Sequence, residues 1–455
     1  MLLAELERAL LRDHDLGGSE LVLQELRRTI RSTAQPMPRI GDAARRFYVP
    51  LEPFLIDGAA DHKRAGRLAR VALEPVWDWI GRDLMPAETK ALTDDINRAL
   101  VADDLAKVEQ VVRVLHECAI QRIGAAIGAL EGGDKARRRF SVQVGTPRAL
   151  DDVTMLMRVL ALRDALAELA RRLPDHYRTF EPEDAAEVKA LLEGLSTQRP
   201  SSHASTSRSD FFLYGMIIVA DRMATPWQLI RLATCAAESD DTARIAATPY
   251  AAAVTIVLSD LEHAVGELRS ELKAGRPVGW LLKSIHDAAR TMRTEMNLSI
   301  DTAWSRQLAA VRAGVSSLLA GELATTPGRV RRLLRPRRAS EIPAGSRLDP
   351  FDVQEVEMLV ELVEACRHYA GELAVSEVTL RTRSELTQYL ETGTRVLVDA
   401  LRQADDAEHP FRRSQIEAAV RFCRAVFGAD YAELLAKAAE VAWQAAIADR
   451  RSARA

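Results

Sequence analysis

Residues 210–272 read DFFLYGMIIVADRMATPWQLIRLATCAAESDDTARIAATPYAAAVTIVLSDLEHAVGELRSEL and contain the most apolar run of this 455-residue chain. The run covers residues 211–220 and stops at Asp221. A helix that crosses a membrane needs about 20 apolar residues. The shorter run therefore predicts a helix buried in a protein core, with Ser209 or Asp210 of the polar segment before it as the cap.

An Ala-Thr-Pro-aromatic sequence occurs twice in this stretch and ends at Trp227 and at Tyr250. Threonine is a good helix N-cap, and proline fits the first helical position because no backbone N–H is needed there. Gln228 lies three residues after Thr225, where a capping box places Glu or Gln. Two helix starts are predicted, and we favour rings packed in the core over rings presented to a ligand.

The composition indicates a folded helical protein. Hydrophobic residues make up 47% and charged residues 28% of the chain, which is ordinary for a globular protein. Ala, Leu, Arg and Glu favour helix, and no series of alternating apolar and polar residues predicts strands. We expect an all-α bundle or array of roughly 14–18 helices in two or three packed units.

The charge balance and the cysteines exclude several classes of protein. The formal net charge is −3, from 62 basic and 65 acidic residues, which argues against a dedicated nucleic-acid binder. The four cysteines form no CxxC pair, so no zinc or redox motif is indicated. The charged N-terminal sequence does not resemble a signal peptide and no transmembrane segment is evident, so a cytoplasmic location is expected.

Composition shifts divide the chain into four predicted parts. A helical unit covers 1–195, with a proline-rich extended segment at 35–53. A central helical unit covers 210–325, and a basic, proline-rich linker follows at 326–350. A C-terminal bundle is expected over 351–447, because clustered prolines oppose helix and separate helical units.

Several long helices are predicted from apolar residues spaced by three or four. One spans 101–130, and another is expected from Thr146-Pro147 to about Arg172. The same spacing over 277–322 predicts one long spine helix, which Ser299 would cap again if the chain breaks nearby. In the C-terminal part we expect three or four helices, with breaks near Gly393 and at 404–410.

The predicted linker contains the sharpest local feature, a cluster of arginines whose guanidinium groups bind phosphates and carboxylates well. A nucleic acid, an anionic membrane surface or an acidic protein would fit such a cluster. The alternative, which we favour, is a solvated linker or a set of internal salt bridges. The six residues are Arg329, Arg331, Arg332, Arg335, Arg337 and Arg338.

Catalytic and metal-binding motifs are not evident. The sequence has no Walker loop, no dinucleotide-binding glycine pattern and no nucleophile elbow, and no Glu stands three residues before a His as in di-iron bundles. We therefore predict no catalytic residue, no metal and no cofactor. As candidates for an intra-bundle pocket we name Asp221, Arg222, Trp227, Tyr250 and His263.

The leading functional hypothesis is a non-enzymatic helical protein that binds another macromolecule, most simply another protein, as an adaptor, scaffold or regulator. A first alternative is a helical enzyme with a pocket in the central unit. A second alternative is association with a membrane or a nucleic acid through the arginine-rich linker.

Overall fold

The computed structural model describes residues 41–58, 64–130, 133–197, 207–299 and 301–454, with side chains up to 448. Seventeen α-helices form this part of the chain, and its only sheet pairs two strands of two residues each. The prediction of an all-α helical array is confirmed. Within these residues no helix combines the length and the apolar character needed to cross a membrane.

Ten helices lie in the part of the described chain up to residue 246. They are α1 (Asp42–Tyr48), α2 (Leu73–Trp79), α3 (Pro86–Val101), α4 (Leu105–Gly128), α5 (Asp134–Val144), α6 (Ala149–Arg172), α7 (Pro182–Thr197), α8 (Arg208–Asp221), α9 (Leu229–Ala237) and α10 (Thr242–Ala246). Short 3-10 turns cover Val49–Phe54, Arg70–Ala72 and Pro226–Gln228, and a π turn covers Ile80–Leu84. Strands β1 (Leu55–Ile56) and β2 (Leu68–Ala69) are parallel.

Seven longer helices complete the described chain. They are α11 (Ala251–Lys273), α12 (Gly279–Glu295), α13 (Ala303–Leu334), α14 (Pro350–Leu373), α15 (Ser376–Gln403), α16 (His409–Phe427) and α17 (Ala429–Arg454), with a 3-10 turn at Ala339–Glu341.

Backbone contacts group the chain into two compact units. The first comprises the described residues up to His263 together with Thr291–Ser305. The second comprises Ala264–Arg290 and the described residues from Arg306 onward. This division differs from the predicted one, because its boundaries lie inside α11, α12 and α13, and a position inside a helix has no compositional mark.

Helix α8 is the centre of the first unit and contains the predicted apolar run. Ser207 accepts a hydrogen bond from the Asp210 backbone N–H, and the Asp210 carboxylate accepts one from the Ser207 N–H, so a capping box begins the helix. Every residue from Phe211 to Ala220 except Leu213 is buried. Tyr214 packs edge-on against Phe54, with ring centroids 5.4 Å apart. The prediction of a buried helix is confirmed, although its cap is Ser207.

The predicted amphipathic helices are present with shifted starts. Helix α4 begins at Leu105, where the Asp104 carboxylate accepts the backbone N–H of Lys107. Helix α6 ends at Arg172, as predicted. At the two Ala-Thr-Pro-aromatic sites, Thr248 accepts the backbone N–H of Tyr250, but Thr225 makes no capping bond.

The predicted capping box at Gln228 is wrong, because the side-chain oxygen of Gln228 accepts a hydrogen bond from the Phe180 backbone N–H instead. The predicted extended segment at 35–53 is also wrong for residues 42–53, which are helical; residues 35–40 lie outside the described part. Two of its prolines, Pro50 and Pro53, fit in a short 3-10 helix, where few internal N–H donors are required.

The predicted spine helix is two helices, α12 and α13. The backbone N–H of Asn297 donates to the Asp240 carbonyl at 2.8 Å rather than to a preceding helical turn. The Thr302 hydroxyl then accepts the Ser305 N–H at 3.1 Å and caps α13. Thr302 therefore takes the role predicted for Ser299.

The predicted linker is wrong for residues 326–334, because α13 continues to Leu334 with Pro327 inside it. A proline in a helix leaves the carbonyl four residues earlier without its N–H partner. That carbonyl belongs to Leu323, and it accepts a hydrogen bond from the Thr382 hydroxyl at 3.2 Å. A side chain from α15 therefore satisfies the carbonyl that the proline leaves free.

The C-terminal helices confirm part of the expectation. Four helices, α14 to α17, cover the predicted bundle, and α15 ends before the predicted break at 404–410. The predicted break near Gly393 is wrong, since this glycine lies within α15.

Two glycines in helices of the first unit should respond to alanine in opposite directions. A Cβ on Gly215 of α8 would lie 2.8 Å from Leu192 Cδ2 and 3.1 Å from Leu169 Cδ2, both buried. We expect Gly215→Ala to lower the free energy of unfolding by about 1–3 kcal/mol through overpacking. Gly194→Ala, at an open helical position, should raise it by about 0.5–1 kcal/mol. Urea denaturation of both variants tests this, and equal effects would contradict the tight packing around α8.

Candidate functional sites

A cleft of about 540 Å³ opens in the first unit between α1 with its following 3-10 turn, α4 and α6, and Ile218 of α8 contributes to its lining. Apolar side chains form most of the lining, and two of them, Val49 and Leu105, remain more than half exposed. The apolar lining residues are Val49, Pro50, Pro53, Phe54, Leu105, Val108, Val112, Leu166, Ala167, Ala170 and Ile218.

The charged lining residues are three arginines and two acids. Arg113 of α4 lies between both acids, because its guanidinium donates to Glu109 at 3.3 Å and to Asp164 of α6 at 3.4 Å. The remaining two cations are Arg46 and Arg163. The lining residues therefore carry one positive charge in excess of their acids, and that charge falls on Arg46, because Arg163 has two carboxylates at 3.7 Å.

Arg163 is unusual because its hydrogen-bonding capacity is not used. Its side chain is only 14% exposed, and two of its nitrogens, Nε and Nη1, are buried without a hydrogen-bond partner among the described residues. Its nearest carboxylates, Glu117 and Asp164, lie 3.7 Å away, beyond hydrogen-bonding distance. A ligand in the cleft can reach the remaining nitrogen, Nη2, because only Nε and Nη1 are covered by protein atoms.

His116 forms part of the cleft lining and is 2% exposed. Its Nε2 lies 2.9 Å from the Phe47 carbonyl oxygen, so Nε2 carries the proton and donates it, and Nδ1 is left buried without a partner in the described part. Burial, together with the neighbouring charge of Arg163, lowers the pKa of His116 to about 4. The ring is therefore neutral at pH 7.

None of the five predicted pocket residues lines this cleft. Asp221 lies 3.6 Å from the Nη1 of Arg67. Arg222 donates to the Asp175 carboxylate at 3.1 Å. These two neighbours in sequence thus serve different ion pairs.

The other three predicted pocket residues lie at different places along the chain. Tyr250 is buried, donates from its hydroxyl to the Lys189 carbonyl at 3.3 Å, and packs on Phe212 with centroids 5.0 Å apart. Trp227 is half-buried in the 3-10 turn before α9, and His263 is half-buried in α11. The contacts of Tyr250 agree with the core-packing interpretation of its ring.

The arginine cluster is largely engaged within the second unit. Arg329 pairs with Glu355, Arg331 with Glu385 at 3.3 Å, and Arg335 with Glu341 at 3.3 Å. Arg337 lies over the ring of Phe411, 4.9 Å from its centroid. Two exposed members, Arg332 and Arg338, have no ion-pair partner among the described residues. Four of the six arginine side chains are thus engaged in contacts with the described part of the second unit.

Helix α17 carries two apolar seams. Its inner seam, Ala432, Leu435, Ala439, Ala442 and Ala446, is buried, and the helix packs against α15 and α16. We define the outer seam as Tyr431, Leu434, Ala438, Val441, Ala445 and Ala448. Leu434 and Val441 of the outer seam are 67% and 66% exposed. Both seams step by three and four residues, the spacing with which helices pack along a coiled coil.

Comparisons with protein families, with curated proteins and with solved structures found no match. The assignment of the cleft and the outer seam as candidate sites therefore rests on their geometry and chemistry. Both were missed in the sequence. The cleft joins residues far apart in the chain, so no local signal marks it. The outer seam did have a signal, the apolar spacing of three and four from Tyr431 to Ala448.

The buried neutral His116 makes stability depend on pH. Its pKa falls from an ordinary 6.5 when unfolded to about 4 when folded, so the unfolded state binds the proton more readily between these values. The contribution of His116 to the free energy of unfolding is therefore fully present above pH 6.5 and is lost as the pH falls toward 4. Relative to His116→Gln, the wild type should lose about 2 kcal/mol between pH 7 and pH 5.

Urea denaturation of both proteins at the two pH values measures this difference. The variant is the necessary control because burial raises the pKa of Asp152 to about 6, and that carboxyl group makes the protein more stable as the pH falls. The Asp152 contribution cancels in the comparison. Parallel pH profiles of wild type and variant would contradict a buried, neutral His116.

Proposed function

We propose that this protein acts by binding another protein, and that the outer seam of α17 receives a helix of that partner. The observation that carries the proposal is a regular apolar seam whose two largest aliphatic side chains, Leu434 and Val441, are two-thirds exposed. Burial of the exposed part of each such side chain stabilises a complex by about 1–2 kcal/mol. A non-enzymatic adaptor, scaffold or regulator is the class of function this favours.

The inner seam of the same helix supports the choice of a helix as the occupant. It repeats the same spacing one residue further along the chain and packs within a bundle of helices. Ala438, Ala445 and Ala448 in the outer seam are small, which allows a second helix to approach closely. Grooves and faces of this kind take the apolar side of an amphipathic helix.

The charges beside the outer seam indicate the chemistry of the partner. Asp430, Glu433 and Glu440 are exposed on α17, and Lys437 is the one exposed base between them. An acidic flank favours a partner helix that carries Lys or Arg next to its apolar side, because complementary charges increase the rate of association and the specificity.

The two alternative functions have less support. Three of the six arginines that would contact a nucleic acid or a membrane are paired with glutamates, so the charge available to such a partner is reduced. The residues suggested for an enzyme pocket in the central unit serve separate contacts. Both alternatives remain hypotheses.

The outer seam is tested by Leu434→Glu with Leu380→Glu as the matched control. Leu380 lies on α15 of the same unit and is 65% exposed, against 67% for Leu434. A partner recovered by affinity purification from the native host should be at least about tenfold depleted with Leu434→Glu and unchanged with the control, because a glutamate there would be buried in the interface. Quantitative mass spectrometry measures the recovery.

Equal recovery of every partner with both variants would contradict the proposal. Loss of a partner with both variants would do the same, since it would indicate a general effect of a new surface charge. Circular dichroism of the purified variants checks that both remain folded, as expected for substitutions at exposed positions.

A further inference from the structure

The cleft of the first unit has the features of a small-molecule site. Its volume of about 540 Å³ lies within the range of ligand pockets in proteins, roughly 300–1,000 Å³. Such pockets combine mainly apolar walls with a few polar groups that fix the orientation of the ligand. Eleven of its seventeen lining residues are apolar, so most of the ligand that fills it must be apolar too.

The polar groups of the cleft select the charge of the ligand. Arg113 is already held between Glu109 and Asp164. Arg163 has two buried nitrogens without hydrogen-bond partners in the described chain, and no carboxylate closer than 3.7 Å. Arg46 has no ion pair among the described residues and is exposed where it lines the cleft. The cationic groups that a ligand can reach are therefore Arg46 and the Nη2 of Arg163, and both favour an anion.

The anion that fits is a carboxylate. Guanidinium groups remain charged at any physiological pH and bind carboxylates through paired N–H donors. The excess in the lining is a single positive charge, which a monoanion balances. A cation would be repelled by Arg46, which has no ion pair among the described residues, and an uncharged ligand would leave the charge of Arg46 unbalanced.

We propose that this cleft binds an amphipathic monocarboxylate with an unbranched apolar chain, of the size of a medium-chain fatty acid. The carboxylate pairs with Arg163, with Arg46 beside it at the cleft mouth. The chain lies along the apolar walls formed by the 3-10 turn after α1, by α4 and by α6. This site is independent of the outer seam of α17, which lies in the other unit.

The proposal is tested by isothermal titration calorimetry with sodium decanoate, decan-1-ol and decylamine, each below its aggregation concentration. Decanoate should bind the wild type with one site, and decanol should bind at least about tenfold more weakly, because it lacks the charge that Arg163 recognises. Decylamine should not bind. Shortening decanoate to octanoate should weaken binding by up to about fourfold for each methylene removed.

Two variants and two controls locate the site. Arg163→Met removes the charge but keeps an unbranched apolar side chain, and should reduce decanoate affinity at least about tenfold without weakening decanol. Arg171→Met is its matched control, since Arg171 lies on the same helix and pairs with Glu168 outside the cleft. Ala167→Trp fills the cleft from an exposed position and should abolish binding of both ligands. Leu434→Glu should leave decanoate affinity unchanged.

Three results would overturn the proposal. One is no decanoate binding to the folded wild type. Another is equal affinity of the wild type for decanoate and decanol, or equal decanoate affinity of wild type and Arg163→Met, since the charge would then play no part. The third is wild-type binding by a folded Ala167→Trp protein, which would place the ligand elsewhere. Circular dichroism confirms the fold of each variant, and the result with Leu434→Glu separates this site from the proposed partner surface.

Discussion

The burial of α8 is the constraint on which the first unit depends. A surface helix has one apolar side, whereas nearly all side chains from Phe211 to Ala220 are withdrawn from water, so other elements must cover α8 on every side. Helices α6 and α7 and the 3-10 turn after α1 supply this cover. The close approach of Leu169 and Leu192 to Gly215 shows how tightly they do so.

The same packing creates the cleft. The 3-10 turn and α6 both rest on α8, and where α4 completes the walls a gap remains, lined in part by Ile218 of α8. Two polar groups at this gap, Arg163 and the Nδ1 of His116, keep buried nitrogens without partners among the described residues. Protein interiors rarely leave such groups unsatisfied. For His116, a buried neutral ring is a sufficient account, because burial lowers its pKa to about 4.

The second unit shows how tertiary contacts relieve a local conflict. Pro327 opposes helix by its own chemistry, yet α13 passes through it because Thr382 bonds the carbonyl that the proline leaves free. The glutamates that pair with Arg329 and Arg331 come from α14 and α15. The outer seam of α17 differs from the arginines in that its two largest aliphatic side chains, Leu434 and Val441, stay exposed. The spacing of the seam is the basis for the helical partner proposed above.

The sequence alone determined the features that depend on local chemistry. The abundance of helix formers and the spacing of apolar residues predicted the all-α class, the buried helix α8, the amphipathic helix α4 and the end of α6 at Arg172. These follow from backbone preference and from which side chains avoid water, and both act between near neighbours.

Tertiary structure alone decided the rest. Whether Pro327 breaks a helix depended on a hydroxyl 55 residues later, and whether the arginines were free depended on glutamates of other helices. The cleft depended on which segments pack around α8. In each case the deciding interaction joins residues that are distant in the chain, and the pattern of apolar residues within one helix does not specify which distant residues will meet.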